Sequence, residues 1–423
     1  MPNQPHHRSR HSRAIVLAIL LTTVAASMLG AAPIPIGPEQ QINQITTGRQ
    51  LRADVAVFAD GSGIVVWEGE DGDGRGIVGR RVDATGAPSG ADFAVSTVTT
   101  DDQINTRVAT TAANGFVVVW ENDTSGGDPS IGSRFFDAAG VGDPAVDVVA
   151  AQVDIGVSLP EIVEVEAGRF VVTWESYDYG TNASAIRGRR LTDAGAVDGL
   201  AFDVATAPVG QFVFKGSTAP RSADGFVVAW RLDAADRTLH AQRFDATGGT
   251  AGALATVVTS DISDPRIAGL DADAFLVVWD TNSAQLQRRR QLGDGTLQAQ
   301  VDLDASDVAA TDASVIALPG GGAAIAWAEI DGIDRRIRVQ TLDGSDAVTD
   351  TWTVDDTNLT VSDPRLAYDA SRGELMVVWT RRGGTGTDQE ELYSRRYALD
   401  GLFADGFDDG NTDQWSATSG NAR

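Results

Sequence analysis

A short apolar run closed by tryptophan is written seven times along this chain. The clearest copy is Gly115-Phe-Val-Val-Val-Trp120, and the others end at Trp67, Trp174, Trp230, Trp279, Trp327 and Trp379. Successive tryptophans are 53, 54, 56, 49, 48 and 52 residues apart. Runs of this length, nearly continuous in valine and isoleucine, read as strands covered on both faces. A period near fifty residues holding several such strands marks a repeat array, in which each unit buries its faces against its neighbours.

The unit around Trp120 can be read strand by strand. Arg107-Val-Ala-Thr-Thr111 is a first strand and Ala112-Ala-Asn-Gly115 a turn in which glycine supplies positive φ. Phe116 to Trp120 is the second strand, Asn122 to Ser130 a polar loop, Ile131 to Phe136 the third strand, and Val146 to Val149 the fourth. Asp-Gly-type turns sit between third and fourth strands in other units, at Asp83-Ala-Thr-Gly86, Asp245-Ala-Thr-Gly248 and Asp343-Gly344. Helical periodicity is absent beyond the first thirty residues, so the fold class is all-β.

Seven units of four strands resemble the blades of a seven-bladed β-propeller of the kind found in secreted bacterial proteins, across roughly residues 39–402. The chain then divides into a leader (1–32), a propeller (33–402) and a tail (403–423). Glu39 to Thr47 resembles the segment that ends each later unit, for example Phe93 to Thr100, yet has no unit of its own. The seventh unit has no obvious fourth strand. Pairing the two closes the ring and removes two open sheet edges.

The leader carries Arg8, Arg10 and Arg13 and no acid, then the apolar stretch Ala14 to Leu21, then small residues to Ala32. That order is expected of a secretory signal peptide, removed on export, and the apolar core is short for a membrane span. The protein is therefore expected to be secreted, periplasmic or held at the cell surface, with no stable membrane insertion after cleavage. The tail segment Asp405-Gly-Phe-Asp-Asp-Gly-Asn-Thr-Asp-Gln-Trp415 resembles the Phe-x-x-Gly-Asp/Asn-x-x-x-Trp tails of exported bacterial proteins, which implies sorting or surface attachment. A degenerate strand or a solvated tail is the competing reading.

With 59 acids against 33 bases the formal charge is −26, and Lys215 is the one lysine. Such a surface repels nucleic acid and anionic lipid; its plain use is solubility and its sharper use is affinity for cations or basic proteins. The absence of cysteine excludes disulfides and a lipid-modified N-terminus, so core packing and ring closure must hold an exported chain together. The propeller is expected to be a monomer.

Catalytic chemistry is sparse. Three of four histidines fall in the leader, leaving His240, expected to be an ordinary strand residue. One histidine and no cysteine leave no ligand set for zinc and a poor basis for a nucleophilic triad, and no P-loop or Gly-x-Ser-x-Gly elbow occurs. Acids remain, in stretches after the tryptophans: Glu68 to Gly74, Glu121 to Asp128, Glu175 to Tyr179 and Glu329 to Asp334. Asp71 and Asp73, spaced Asp-x-Asp in a glycine-rich loop, are weak calcium candidates against the alternative of solvated loops. No catalytic pair is assigned. Sialidase propellers carry Asp boxes, Ser-x-Asp-x-Gly-x-Thr-Trp, at the third-to-fourth-strand turn; here those turns keep Asp and Gly but lack Thr-Trp.

The seven tryptophans are expected in the core rather than on a sugar platform, whereas Trp352 lies outside the series and is open to exposure. The third-strand arginines Arg81, Arg134, Arg190, Arg243 and Arg396 are expected to pair between blades or cover apolar edges. Together these features favour an exported, non-enzymatic propeller binding a protein or polysaccharide through one loop face. The alternatives are a glycoside hydrolase or polysaccharide lyase using channel-mouth carboxylates, and a structural cell-surface protein.

Overall fold

The computed structural model describes residues 33–399 apart from 125–127, 145–146, 152–154, 260–261, 304–307, 358 and 384–388. The leader and the tail lie outside the described residues. Twenty-eight strands form seven four-stranded antiparallel sheets, the seven blades of a propeller. Among the described residues helix is limited to two 3₁₀ turns, Asp271–Asp273 and Pro319–Gly321, and none is long and apolar enough to cross a membrane.

The innermost strands of blades one to seven are Gln50–Val57, Asp102–Thr110, Ile155–Glu166, Phe212–Pro220, Ser263–Gly269, Ala309–Leu318 and Thr360–Asp369. In blade two the remaining strands are Phe116–Asp123, Ser130–Phe136 and Asp147–Ala151, so the order read from the sequence holds and the second strand runs slightly further. The alternation of its side chains explains the unbroken apolar run. Phe116, Val118 and Trp120 pack with Ile64 and Val66 of blade one, while Val117 and Val119 pack with Ile162, Val172 and Trp174 of blade three. The strand has no solvent face, so a polar residue at any of these positions would enter a core.

All seven tryptophans sit this way, each reaching into the preceding blade. Trp67, for instance, meets Met376 and Val378 of blade seven, and Trp327 meets Leu276 and Val278 of blade five. Their exposures run from 0% to 6%, which removes them as surface platforms. Trp352 is also buried, in a fourth strand, against Tyr397 at 5.4 Å between ring centroids. Its expected exposure was wrong because this outer strand packs under the seventh blade, whose Tyr397 covers it.

Ring closure takes the form read from the sequence, with an earlier start. The strand Ile34–Gln41 pairs antiparallel with Glu390–Ala398, Ile34 opposite Ala398 and Gln41 opposite Tyr393, and so supplies the outermost strand of blade seven. Arg381 locks the seam. Its guanidinium donates to Glu39 Oε1 at 2.7 Å on the closing strand and to Asp355 Oδ2 of blade six at 2.7 Å. Asn43 and Gln41 both donate to Glu391.

Arg81, Arg134, Arg243 and Arg396 bond to a neighbouring blade, whereas Arg190 pairs with Asp198 of its own. Arg81 lies over Phe58 and Phe116 and donates to the Asp137 carbonyl of blade two; Arg396 of blade seven donates to Gly61 O of blade one at 2.6 Å. The Asp-Gly-type turns form as expected. Asp83 Oδ1 accepts from Thr85 N and Oγ1 at 2.8 and 2.6 Å, and Gly86 takes φ +84°.

Candidate functional site

Each innermost strand breaks register with its neighbour at the same place, as between Leu51 and Asp54, Ile104 and Arg107, or Ser362 and Arg365. Six of these bulges hold a non-glycine residue at positive φ: Arg52, Asn105, Leu159, Asp264, Asp312 and Asp363. Repeated bulges re-aim the next side chain. Here they deliver Asp54, Arg107, Glu161, Ser217, Arg266, Ser314 and Arg365, one per blade, to the wall of a central cavity of about 450 Å³.

The ring is charged and unevenly so. Asp54 accepts from Val108 N at 2.9 Å and Glu161 from Thr218 N at 2.6 Å, each acid capping a backbone N–H of the next blade. Burial nevertheless raises the Asp54 carboxyl above the usual range, and Arg107 only partly offsets it. Glu161 lies 3.9 Å from Arg107. Among the described residues no carboxylate comes within ion-pair distance of Arg266 or Arg365, which donate instead to the carbonyls of Pro265 and Pro364. Burial, then the charges of Arg107 and Arg266, bring the Arg365 guanidinium down to about 10, so it stays protonated at neutral pH. The sequence carried a signal for this ring that went unread: Ser-Asp-Pro-Arg occurs at 263–266 and again at 362–365.

In blades one and two the residue after the tryptophan reaches towards the next bulge. Glu68 Oε1 accepts from Asn105 N at 2.8 Å, and Glu121 Oε2 accepts from Leu159 N at 3.1 Å and Asn105 Nδ2 at 2.9 Å. Glu68 also pairs with Arg75 at 2.7 Å. Expected in solvated loops, Glu68, Glu121 and Glu329 are instead buried in second strands, because the strand continues past the tryptophan and its carboxylate satisfies a neighbour's backbone or arginine. Burial raises the Glu121 carboxyl, and nearby Asp123 and Glu68 add to the shift.

Blade five carries a shorter acid at this position. Asp280 follows Trp279, and aspartate is one methylene shorter than glutamate; its Oδ1 is buried with no hydrogen-bond partner. Burial first, and then the charge of Asp264, push the Asp280 carboxyl up to about 7, with Arg266 acting against them. A carboxyl titrating there can give or take a proton near neutrality.

Asp71 and Asp73 lie in the loop between Gly63–Glu70 and Arg75–Val82. Asp71 Oδ1 accepts from Asp73 N at 3.3 Å while Asp71 Oδ2 is buried without a partner. Among the described residues no group of three acidic, histidine or cysteine side chains is arranged to hold a metal ion. His240 lies in a third strand, its Nε2 2.8 Å from Thr238 Oγ1 and its ring 5.8 Å from that of Trp230.

The same loop face carries a second cavity, of about 440 Å³, crossing blades two to four. Tyr177 and Tyr179 from the end of one second strand and Phe212 and Phe214 from the start of the next innermost strand line it, with Glu121 and Asp123 on the blade-two side. Tyr179 is 60% exposed, Phe212 38% and Phe214 37%. Tyr177 meets Tyr179 edge-on at 5.2 Å and stacks on Phe212 at 6.1 Å, and its hydroxyl donates to Asn182 Oδ1 at 2.8 Å. Rings clustered and left partly open to water mark a contact surface rather than a core. The two tyrosines fall in the acidic stretch Glu175 to Tyr179, but their meeting with Phe212 and Phe214 depends on blade order and was not legible.

No protein-family model matches the chain, and no curated relative does. Solved structures do. BP39L lectin from Burkholderia pseudomallei, 13% identical, superposes on 81% of this chain and 99% of its own with a TM-score of 0.56. A polysaccharide lyase described as an ulvan lyase, solved bound to a GlcA(1-4)Rha3S unit, is 9% identical over 85% of this chain and 94% of its own, with a TM-score of 0.54. The NanB sialidase from Streptococcus pneumoniae is 7% identical over 87% and 71%, at a TM-score of 0.47. At these identities the likeness to the lectin and the lyase shows the propeller fold alone, and binding and catalysis both stay open.

Proposed function

We propose that this protein is an exported, non-enzymatic propeller that binds a polysaccharide through its loop face, in the aromatic cleft across blades two to four. The observation that carries this reading is the exposed set Tyr179, Phe212 and Phe214 beside the carboxylates of Glu121 and Asp123. Flat rings offer the C–H face of a sugar an apolar contact, and neighbouring carboxylates accept its hydroxyls. Export rests on the leader, and surface retention on the tail resemblance. Affinity electrophoresis against a panel of envelope and extracellular polysaccharides tests the reading: at least one should retard the protein, without chain cleavage, and Tyr179→Ala should abolish the effect. Failure to bind any of them, with a protein captured instead, would overturn it. Cutting residues 403–423 should release the protein from the cell surface.

A second reading, hydrolysis or elimination by carboxylates, is favoured by one observation, the buried Asp280 Oδ1 that has no hydrogen-bond partner and the carboxyl raised to about 7 by burial and Asp264. Product release from the same panel, lost in Asp280→Asn, would establish it.

A further inference from the structure

We infer that the aromatic cleft selects glycans carrying free ammonium groups, amino sugars without their acetyl caps, over neutral or anionic ones. This rests on the glycan-binding reading above and narrows it.

Three features of the molecule converge on a cation. The first is the chemistry of the cleft walls. Glu121 and Asp123 stand on one side and the rings of Tyr177, Tyr179, Phe212 and Phe214 on the other, and no arginine or lysine lines the cavity. A ring face is negative, so aromatic and carboxylate walls attract the same sign of charge.

The second feature is an arrangement of this kind already filled within the chain. The Arg231 guanidinium lies 4.5 Å from the centroid of the Phe214 ring, while Asp233 Oδ1 accepts from its Nε at 2.7 Å. Ring and carboxylate together hold a cation at the edge of the same aromatic cluster. Asp123 faces the open part of the cleft without such a cation paired to it among the described residues, and the buried Glu121 carboxylate stands behind it.

The third is the field of the whole molecule. At a formal charge of −26 the surface repels polyuronates and sulfated glycans and concentrates polycations, so steering and local chemistry agree. An acetamido group brings bulk and no charge to Asp123, whereas an ammonium gains both the carboxylate and the ring faces. A ligand cation also favours the ionised form of Glu121, whose carboxyl is otherwise raised by burial.

Titration calorimetry of the purified protein with glucosamine hexamer, N-acetylglucosamine hexamer and an oligogalacturonate tests this at low and moderate salt. The glucosamine hexamer should bind about tenfold or more tightly than its acetylated counterpart, and the oligogalacturonate not at all. Tyr179→Ala should weaken glucosamine-hexamer binding about tenfold, which separates the cleft from diffuse attraction to an acidic surface. Asp123→Asn should reduce the preference for the amine while leaving the acetylated form unchanged. Equal or better binding of the acetylated or anionic oligosaccharide overturns ammonium selection and leaves the glycan reading standing. Amine binding unchanged in both Tyr179→Ala and Phe212→Ala overturns the assignment to this cleft. No binding of any of the three removes ammonium selection, and the polysaccharide panel above then decides the glycan reading.

Discussion

Replacing Asp280 by asparagine removes a charge that the fold accommodates badly. Its carboxyl is lifted from 3.8 to about 7 by burial and by Asp264. Between those values the native state holds a proton that the unfolded chain has released, so stability falls as pH rises through this window and is flat above it. At about 1.4 kcal/mol per unit, the interval from pH 5 to pH 7 corresponds to roughly 2–3 kcal/mol of native-state cost, an upper figure because Asp280 keeps some contact with water. Asparagine is neutral throughout and has no such dependence. In a chain of this size unfolding carries an entropy that converts 1 kcal/mol into roughly 1.3 °C of Tm. The variant should therefore gain about 2–4 °C over wild type in going from pH 5 to pH 8, read by scanning calorimetry at matched ionic strength. The comparison cancels whatever the amide's own packing costs. A difference between variant and wild type that is the same at both pH values would refute the argument, because charge would then not be what the substitution relieves.

Other consequences follow from the same packing. Trp120→Ala should cost about 3–5 kcal/mol in urea unfolding, as Trp120 fills the space between blades one and two. Glu68→Ala strands the Asn105 N–H and half of the Arg75 pairing and should cost about 2–3 kcal/mol, whereas the neighbouring exposed Glu70→Ala should stay within about 0.5 kcal/mol. The Thr85 hydroxyl and turn N–H groups hold the Asp83 carboxyl below its usual value. That contribution is present above the unfolded pKa and lost as pH falls through the folded one, so the destabilisation by Asp83→Ala should be visible near pH 6 and fade towards pH 3. Deleting residues 33–42 should lower Tm and produce oligomers in size-exclusion chromatography, since the edge of Glu390–Ala398 is then unpaired.

The fold was legible because its determinants are local and repeated. One tryptophan per unit, an apolar run with no polar face and Asp-Gly turns name the blade, and counting names the ring. The candidate site was less legible, for two physical reasons. A bulge changes which side chain faces the channel without altering composition, so Arg107, Arg266 and Arg365 looked like any other strand residues. The cleft depends on contacts between residues more than thirty apart, Tyr177 with Phe212, that only the lateral order of blades creates. Glu68 and Glu121 were misplaced because a strand end and a loop start are alike in sequence when both are acidic. What distinguishes them is the unsatisfied N–H waiting on the next blade.

The seam between Ile34–Gln41 and Glu390–Ala398 sets a timetable as well as a shape. Ile34–Gln41 finds its partner only when Glu390–Ala398 has been made, some 350 residues later. Until then the blades already made form a broken arc, with Ile34–Gln41 left unpaired. Pairings at such separation are slow to form, because the chain between them must be ordered first. A chain built this way stays an incomplete ring for as long as it is being made or threaded. Its earliest-made segment remains open to escort by other proteins throughout.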